Sequence, residues 1–197
     1  QVLDAVSAAI RPDDSGLACR GHSLARHIGI IIYRCPACRA FDRLEAQGDG
    51  FRCSACGALY AIDGRYVIRR PDGRAQAISG FYRDIRIGPP DVEAERIASA
   101  AAEVSREVGR KLVRQFRGHL ALFQDRLAFE PKADGAAAWS IPLPQVRAAV
   151  IEKAGRLQIH DGRDLFQVVF LRESARKWQD LIAAMVEKRC ARLPRLR

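Results

Sequence analysis

The chain has 197 residues, with 33 Lys or Arg against 23 Asp or Glu, so its net charge is +10. Apolar residues make up 48% and charged residues 28%, a globular balance that excludes wholesale disorder and fibrous repeats. The longest strongly apolar run, Ile28 to Tyr33, is far shorter than the roughly 20 residues that span a bilayer, and no secretory signal is visible. We therefore expect one or two folded domains without a membrane span.

The first residue is Gln1 and the single methionine is Met185, so no initiator is present. A processed terminus and the C-terminal piece of a longer protein both fit this observation. We favour the second interpretation, in which further domains precede Gln1.

Four of the six cysteines form two C-x-x-C pairs, Cys35-Pro36-Ala37-Cys38 and Cys53-Ser54-Ala55-Cys56. Two such pairs, fourteen residues apart, are typical of a tetrahedral zinc site in which each pair occupies a tight turn. Gly57 can adopt the positive φ that often follows such a turn. Between the pairs, the turn residues 47–50 predict a hairpin. We predict a zinc ribbon over residues 33–70, with Zn²⁺ bound by Cys35, Cys38, Cys53 and Cys56.

Other uses of these cysteines are less favoured. Disulfides need an oxidising compartment, and nothing in the sequence points to export. A redox C-x-x-C would begin a helix in a βαβ unit, a pattern that neither pair shows. Four thiolates leave no position for water, so the predicted zinc is structural and not catalytic. Cys19 and His22 have the spacing of alternative ligands, and Cys190 is interpreted as an incidental thiol, with palmitoylation as the alternative.

The segment after the ribbon is interpreted as a linker over residues 71–117. Tyr66 to Ile68 predicts a strand that closes the ribbon, and Gly88-Pro89-Pro90 predicts a domain boundary. The linker contains apolar residues at steps of three and four, which predict an amphipathic helix over 91–115: Ile97, Ala101, Val104, Val108 and Leu112.

From residue 118 the apolar period changes to two, which predicts six short strands within a domain over 118–190. The last element is a helix that Ser174 caps, with one apolar stripe that includes Trp178. We expect Trp178 to lie in the core. The predicted fold class is α+β and mainly β, with an N-terminal segment over 1–32, the ribbon, the linking helix and an open barrel that the last helix closes.

The basic residues of the C-terminus form a candidate site for an anionic surface. The run over 188–197 holds five basic residues and no acid: Lys188, Arg189, Arg192, Arg195 and Arg197. Anionic lipid and nucleic acid both attract such a run, so charge alone does not select the partner. A solvated tail over 191–197 without a ligand is the alternative.

No catalytic constellation is visible in this chain. The four histidines lack a placed nucleophile or a paired carboxylate, and the glycines form no phosphate-cradling loop. We therefore expect the isolated chain to have no enzymatic activity.

The residues 31–38 and 50–57 resemble the zinc-ribbon segment that follows the acyltransferase domain in some bacterial glycerolipid acyltransferases related to 1-acylglycerol-3-phosphate acyltransferase. Residues 118–122 and 139–143, with the Lys177-Trp178 helix, are similar to PH/GRAM-like domains. This resemblance implies a non-catalytic membrane-docking or regulatory region in phospholipid biosynthesis, cytoplasmic and peripheral at the inner membrane face. The family's H-x4-D motif is absent from this chain. An acyltransferase domain would then precede Gln1 in the same protein.

Two other functions remain open from the sequence. A zinc-ribbon nucleic-acid-binding protein would use the basic surface for phosphates and Phe41, Phe51 and Tyr60 for stacking. Against it, residues 1–62 carry seven basic and six acidic side chains, a net charge of only +1. The third alternative is a protein-interaction module.

Overall fold

The structure, a computed structural model, describes residues 21–88, 95–109, 111–132, 138–152 and 155–192. The chain divides into two compact units, Gln1–Ile85 and Arg86–Arg197. The division lies close to the predicted break at residues 88–90. The predicted N-terminal segment over 1–32 is described only from residue 21, and Cys19 lies outside the described residues.

From residue 21 onward, where its description begins, the first unit is a small antiparallel sheet with two helices. A short helix, α1 (Ile28–Ile31), precedes five strands that pair in chain order, and α2 (Ile78–Ile85) follows them. The strands are β1 (Leu44–Gln47), β2 (Gly50–Cys53), β3 (Leu59–Ile62), β4 (Val67–Arg69) and β5 (Ala75–Ala77). The predicted hairpin between the cysteine pairs is β1 and β2, in which Gln47 is paired with Gly50.

Aromatic rings fill the core of this unit. Phe51 on β2 lies opposite Tyr60 on β3, and their rings stack with centroids 4.8 Å apart. Phe81 of α2 meets both rings edge-on, an arrangement that the aromatic quadrupole favours. Every second residue of β2 and β3 faces this core, and Cys35 and Cys53 are part of the same buried cluster. The cysteine site therefore belongs to the core of the unit.

The second unit contains a seven-stranded antiparallel sheet in the order β10-β11-β12-β6-β7-β8-β9. Its strands are β6 (Arg96–Val108), β7 (Lys111–Phe123), β8 (Arg126–Pro131), β9 (Trp139–Pro142), β10 (Ala148–Glu152), β11 (Arg156–His160) and β12 (Leu165–Phe170). Three strands separate β9 from β12 in this order, yet Trp139 and Phe166 stack with centroids 4.6 Å apart. The sheet is therefore curled into a half-barrel.

The C-terminal helix, α3 (Ala175–Arg192), packs on this sheet. The Ser174 hydroxyl caps it by accepting the N–H groups of Arg176 at 3.2 Å and Lys177 at 3.4 Å. Trp178 is fully buried and stacks on Phe170 at 4.8 Å. The predicted helix and the core position of Trp178 are confirmed, as is the mainly β fold class with a C-terminal helix and a cysteine cluster near the first sheet.

The predicted amphipathic helix over 91–115 is wrong. Residues 96–108 and 111–123 are the two longest strands, and they pair with each other as a hairpin. In the middle of β6 every second residue is buried, as Ala100, Ala102 and Val104. Apolar residues occupy so many positions in this stretch that their pattern fits the period of 3.6 of a helix and the period of two of a strand equally well. Pairing with β7 and β12 selects the strand.

The predicted linker over 71–117 is also replaced by ordered structure. The segment that carries β5 and α2 belongs to the first unit, and the second sheet begins at Arg96, before the predicted start at residue 118. Among the described helices, none combines the length and the apolar character that crossing a bilayer requires.

Candidate metal centre

The two C-x-x-C pairs fold into turns with the same backbone hydrogen bonds. In the first turn, Arg39 N–H donates to the Cys35 carbonyl at 2.8 Å, and in the second Gly57 N–H donates to the Cys53 carbonyl at 2.8 Å. Both residues that follow the pairs have a positive φ, +63° at Arg39 and +76° at Gly57. The sequence predicted this conformation at Gly57, because glycine adopts a positive φ readily. It did not predict the same conformation at Arg39, because a β-carbon disfavours a positive φ.

The turns bring all four sulfurs together. The Sγ atoms of Cys35, Cys38, Cys53 and Cys56 lie within 4.8 Å of one another. The Cys35–Cys56 distance is 3.8 Å and the Cys38–Cys53 distance is 3.7 Å. Sulfurs at 2.3 Å from a tetrahedral zinc would be separated by about 3.8 Å, whereas a disulfide holds them at about 2.0 Å. The geometry fits a four-thiolate metal site, and these four cysteines are free thiols.

Each turn contributes one buried and one exposed cysteine. Cys35 and Cys53 are buried, and Cys38 and Cys56 are exposed. Cys35 Sγ lies 3.5 Å from the hydroxyl of Tyr60, the residue that stacks on Phe51. Sequence reasoning missed this contact with Tyr60, whose ring the alternation of buried and exposed residues along β3 turns toward the core. The site is therefore rigid on its inner side and open to solvent on its outer side.

The thiols do not ionise alike. Burial raises the pKa of Cys35, but the N–H groups of Cys38 and Ala37 and the Tyr60 hydroxyl bind the sulfur and lower the pKa to about 7. Burial raises the pKa of Cys53. At Cys56, the N–H of Ala58 lowers the pKa, but desolvation and the neighbouring sulfurs outweigh it and leave a pKa of about 12.

The crowding of four sulfurs adds to the rise in the pKa of Cys56. Once one thiolate has formed, like-charge repulsion opposes the next, and burial raises the pKa of Tyr60 so that its hydroxyl stays a hydrogen-bond donor. A divalent cation would remove this repulsion, because it offsets the thiolate charges directly. The donor set is soft and tetrahedral, which favours zinc or iron over hard cations.

The four histidines are not part of this site. His22, His27, His119 and His160 are exposed, and the cysteines are the group of metal-type ligands found among the described residues. The C-x-x-H alternative with Cys19 is untested, because Cys19 lies outside the described part of the chain. Four thiolates close the coordination shell, which leaves no vacant position at which a metal would bind a substrate.

The predicted anionic-surface residues lie at the far end of α3. Lys188 is half-buried and Arg189 is exposed on this helix. Arg192 ends the helix with a side chain outside the described residues, and Arg195 and Arg197 follow outside the description, as does the side chain of Cys190. The helix thus fixes the start of the basic run.

Comparison with known proteins yields a fold likeness only. No family model and no curated protein matches the chain. The solution structure of the N-terminal PH domain of human ARAP2 is similar at 11% identity and a TM-score of 0.40, over 51% of this chain and 85% of that chain. The 8S snRNP assembly intermediate contains a chain similar at 17% identity and a TM-score of 0.38, over 57% of this chain and 94% of that one.

Proposed function

We propose that Cys35, Cys38, Cys53 and Cys56 bind one structural Zn²⁺. The observation that carries this proposal is the separation of the sulfurs, 3.7 and 3.8 Å in two pairs, which matches the edge of a zinc–thiolate tetrahedron. All four ligands come from the protein, so the ion would stabilise the first unit and supply no reaction chemistry.

Elemental analysis of protein purified under reducing conditions tests the zinc site. We expect one zinc per chain, and replacement by cobalt should give the absorption of tetrahedral thiolate-bound Co²⁺. A Ser54→Ala variant, changed in the same turn at a residue that is not a ligand, should bind the same amount. Stoichiometric iron, or paired disulfides in mass spectrometry without reduction, would contradict the proposal.

For the whole chain, we propose a non-catalytic module that docks on anionic membrane surfaces. The net charge of +10, of which five charges lie in the run over 188–197, supports this function. Each basic residue near an anionic surface contributes about 1 kcal/mol, so the run gives weak and reversible docking. Screening over a Debye length of about 8 Å should make that docking strongly dependent on salt.

Vesicle sedimentation tests the docking function. Vesicles of phosphatidylserine and phosphatidylcholine should bind the chain at low salt, and vesicles of phosphatidylcholine alone should not. Replacing the five basic residues of the run by Gln, which keeps the helix propensity of α3, should abolish most of this binding. A matched variant loses the same charge at exposed positions elsewhere in the second unit: Lys132, Arg147, Arg156, Arg163 and Arg172. Equal loss in both variants would show only a general charge effect, and tighter binding to duplex RNA or DNA at the same salt would favour the nucleic-acid alternative.

We also propose that the docking module serves a glycerolipid acyltransferase domain in the same protein. The resemblance of residues 31–38 and 50–57 to the ribbon of such enzymes supports this association. Reading the coding sequence upstream of Gln1 tests it. A domain with an H-x4-D motif there would support the association, and a start codon adjacent to Gln1 would exclude it.

A further inference from the structure

We propose that Tyr60 is a positioning residue of the metal centre, whose hydroxyl donates a hydrogen bond to the Cys35 thiolate and holds that sulfur in place as a ligand. This inference rests on the proposed zinc site and adds a residue outside the four cysteines on which retention of the ion depends. The Tyr60 hydroxyl lies 3.5 Å from Cys35 Sγ, and both residues are buried.

The ionisation of the sulfur fixes the direction of this hydrogen bond. A cysteine binds a metal as its thiolate, which has no hydrogen to donate. A tyrosine hydroxyl can donate as well as accept. In the metal-bound centre the Tyr60 hydroxyl is therefore the donor and the Cys35 sulfur is the acceptor. Hydrogen bonds to an ionised acceptor are roughly twice as strong as those between neutral groups.

The ring of Tyr60 is held on two sides, so its hydroxyl is oriented before any ion binds. The ring stacks on Phe51 at 4.8 Å and meets Phe81 edge-on at 5.7 Å. Strand pairing sets the same position, because Tyr60 on β3 lies opposite Phe51 on β2. Tyr60 is only 4% exposed, so water competes little for its hydroxyl. A donor fixed in such surroundings interacts more strongly with a thiolate than it would in water.

The two C-x-x-C turns provide an internal comparison. Cys53 occupies the place in the second turn that Cys35 occupies in the first, and both are buried. N–H groups of its own turn approach each of these two sulfurs. Within the described part of the chain, the Cys53 sulfur contacts other sulfurs but no hydroxyl. Removing the Tyr60 hydroxyl should therefore leave Cys35 in surroundings like those of Cys53.

The exposure of the other two ligands makes a firmly held inner ligand important. Cys38 and Cys56 are exposed, so a chelator in solution reaches the site from their side. The ion is lost only when the inner sulfurs also let go. Groups that hydrogen-bond to metal ligands typically change metal affinity by about 10–100-fold, and sulfur is a weak acceptor. We therefore expect an effect at the lower end of this range, about tenfold.

The first test measures zinc loss from two full-length variants that each lack one tyrosine hydroxyl. Tyr60→Phe keeps the ring and its contacts with Phe51 and Phe81. The matched control is Tyr66→Phe, at a residue 45% exposed between β3 and β4. Transfer of zinc to the chromophoric chelator 4-(2-pyridylazo)resorcinol should be about tenfold faster in Tyr60→Phe than in the unchanged chain, and Tyr66→Phe should match the unchanged chain.

The second test uses cobalt in place of zinc and reports on the sulfur itself. The sulfur-to-cobalt charge-transfer absorption depends on how strongly the thiolates hold their electrons, which a hydrogen bond increases. This band should move to longer wavelength in Tyr60→Phe and stay in place in Tyr66→Phe. A purely structural role of Tyr60 in the core would speed the loss of zinc without moving the band.

A third sample keeps every side chain at its position. Biosynthetic replacement of the four tyrosines by 3-fluorotyrosine makes each hydroxyl a stronger donor and leaves the rings in place. The cobalt band of the fluorinated chain should move to shorter wavelength, opposite to the shift in Tyr60→Phe. If Tyr60→Phe does not fold, this sample alone decides.

The outcomes separate this inference from the proposed zinc site. If the unchanged chain binds no stoichiometric metal, the zinc site fails and the role of Tyr60 fails with it. If the unchanged chain binds zinc and neither Tyr60→Phe nor fluorination moves the cobalt band, the positioning role is wrong and the zinc site stands. An equal shift in Tyr66→Phe would likewise overturn the role of Tyr60.

Discussion

Replacing Cys35 by Ser should unfold the first unit and leave the second unit folded. Cys35 is fully buried, and it is both a proposed zinc ligand and a member of the aromatic core around Phe51 and Tyr60. Structural zinc contributes about 10–16 kcal/mol in small zinc-binding peptides. A unit of this size has a total stability of roughly 3–10 kcal/mol. The free energy lost with the ion therefore exceeds the free energy of unfolding of the first unit. The second unit should stay folded because it has its own core around Trp178.

Amide hydrogen exchange, read by mass spectrometry peptide by peptide, measures this result. Peptides from β2 and β3 should lose protection in the Cys35→Ser variant, while those from β7 and β12 should keep it. Elemental analysis of the same sample should show the loss of zinc. Ser54→Ala is the control, because its hydroxyl lies in the second turn but only donates to the Arg43 carbonyl at 3.2 Å.

Two results would refute this reasoning. Full protection of β2 and β3 in a metal-free Cys35→Ser sample would show that the aromatic core holds the first unit without the ion. Equal loss of protection in β7 and β12 would show that the two units do not fold on separate cores. Either result is accessible in one exchange experiment.

Four further outcomes are expected. Gly57→Ala should lower the thermal stability of the first unit by about 1–2 kcal/mol, because an alanine at a φ of +76° is strained even though the space beside it is open. Gly118→Ala should destabilise the second unit by about 3 kcal/mol in urea unfolding, because its β-carbon would lie 2.2 Å from the carbonyl oxygen of Glu130. The pKa of Asp161 is lowered: partial burial raises it, but N–H groups of the following turn and a neighbouring histidine lower it further than burial raises it. Its charge thus contributes stability above the unfolded-state pKa, and the difference in urea midpoint between the native chain and Asp161→Asn should vanish as the pH falls through the folded-state pKa. The isolated chain should not transfer acyl groups to lysophosphatidate, and turnover above a heat-treated control would contradict its interpretation as non-catalytic.

The cluster of four cysteines shows how far local sequence determines structure. The C-x-x-C turns are set by residues adjacent in the chain, so spacing alone predicted which four cysteines meet. Spacing did not predict the hydroxyl of Tyr60 beside Cys35, because that contact joins residues 25 positions apart through the pairing of β2 with β3. Arg39 at positive φ is likewise a consequence of the fold, since the turn demands that conformation of whichever residue follows Cys38.

The sequence by itself determined which four cysteines cluster, the strands after residue 118, the capped C-terminal helix and the mainly β fold class, because each has a local period, turn or cap. The tertiary structure alone decided the conformation of residues 96–117. Their alanine-rich pattern fits a helix and a strand alike, and the backbone bonds that select the strand come from β12, some 60 residues further along the chain. The same choice turned a supposed helical linker into the longest hairpin among the described residues.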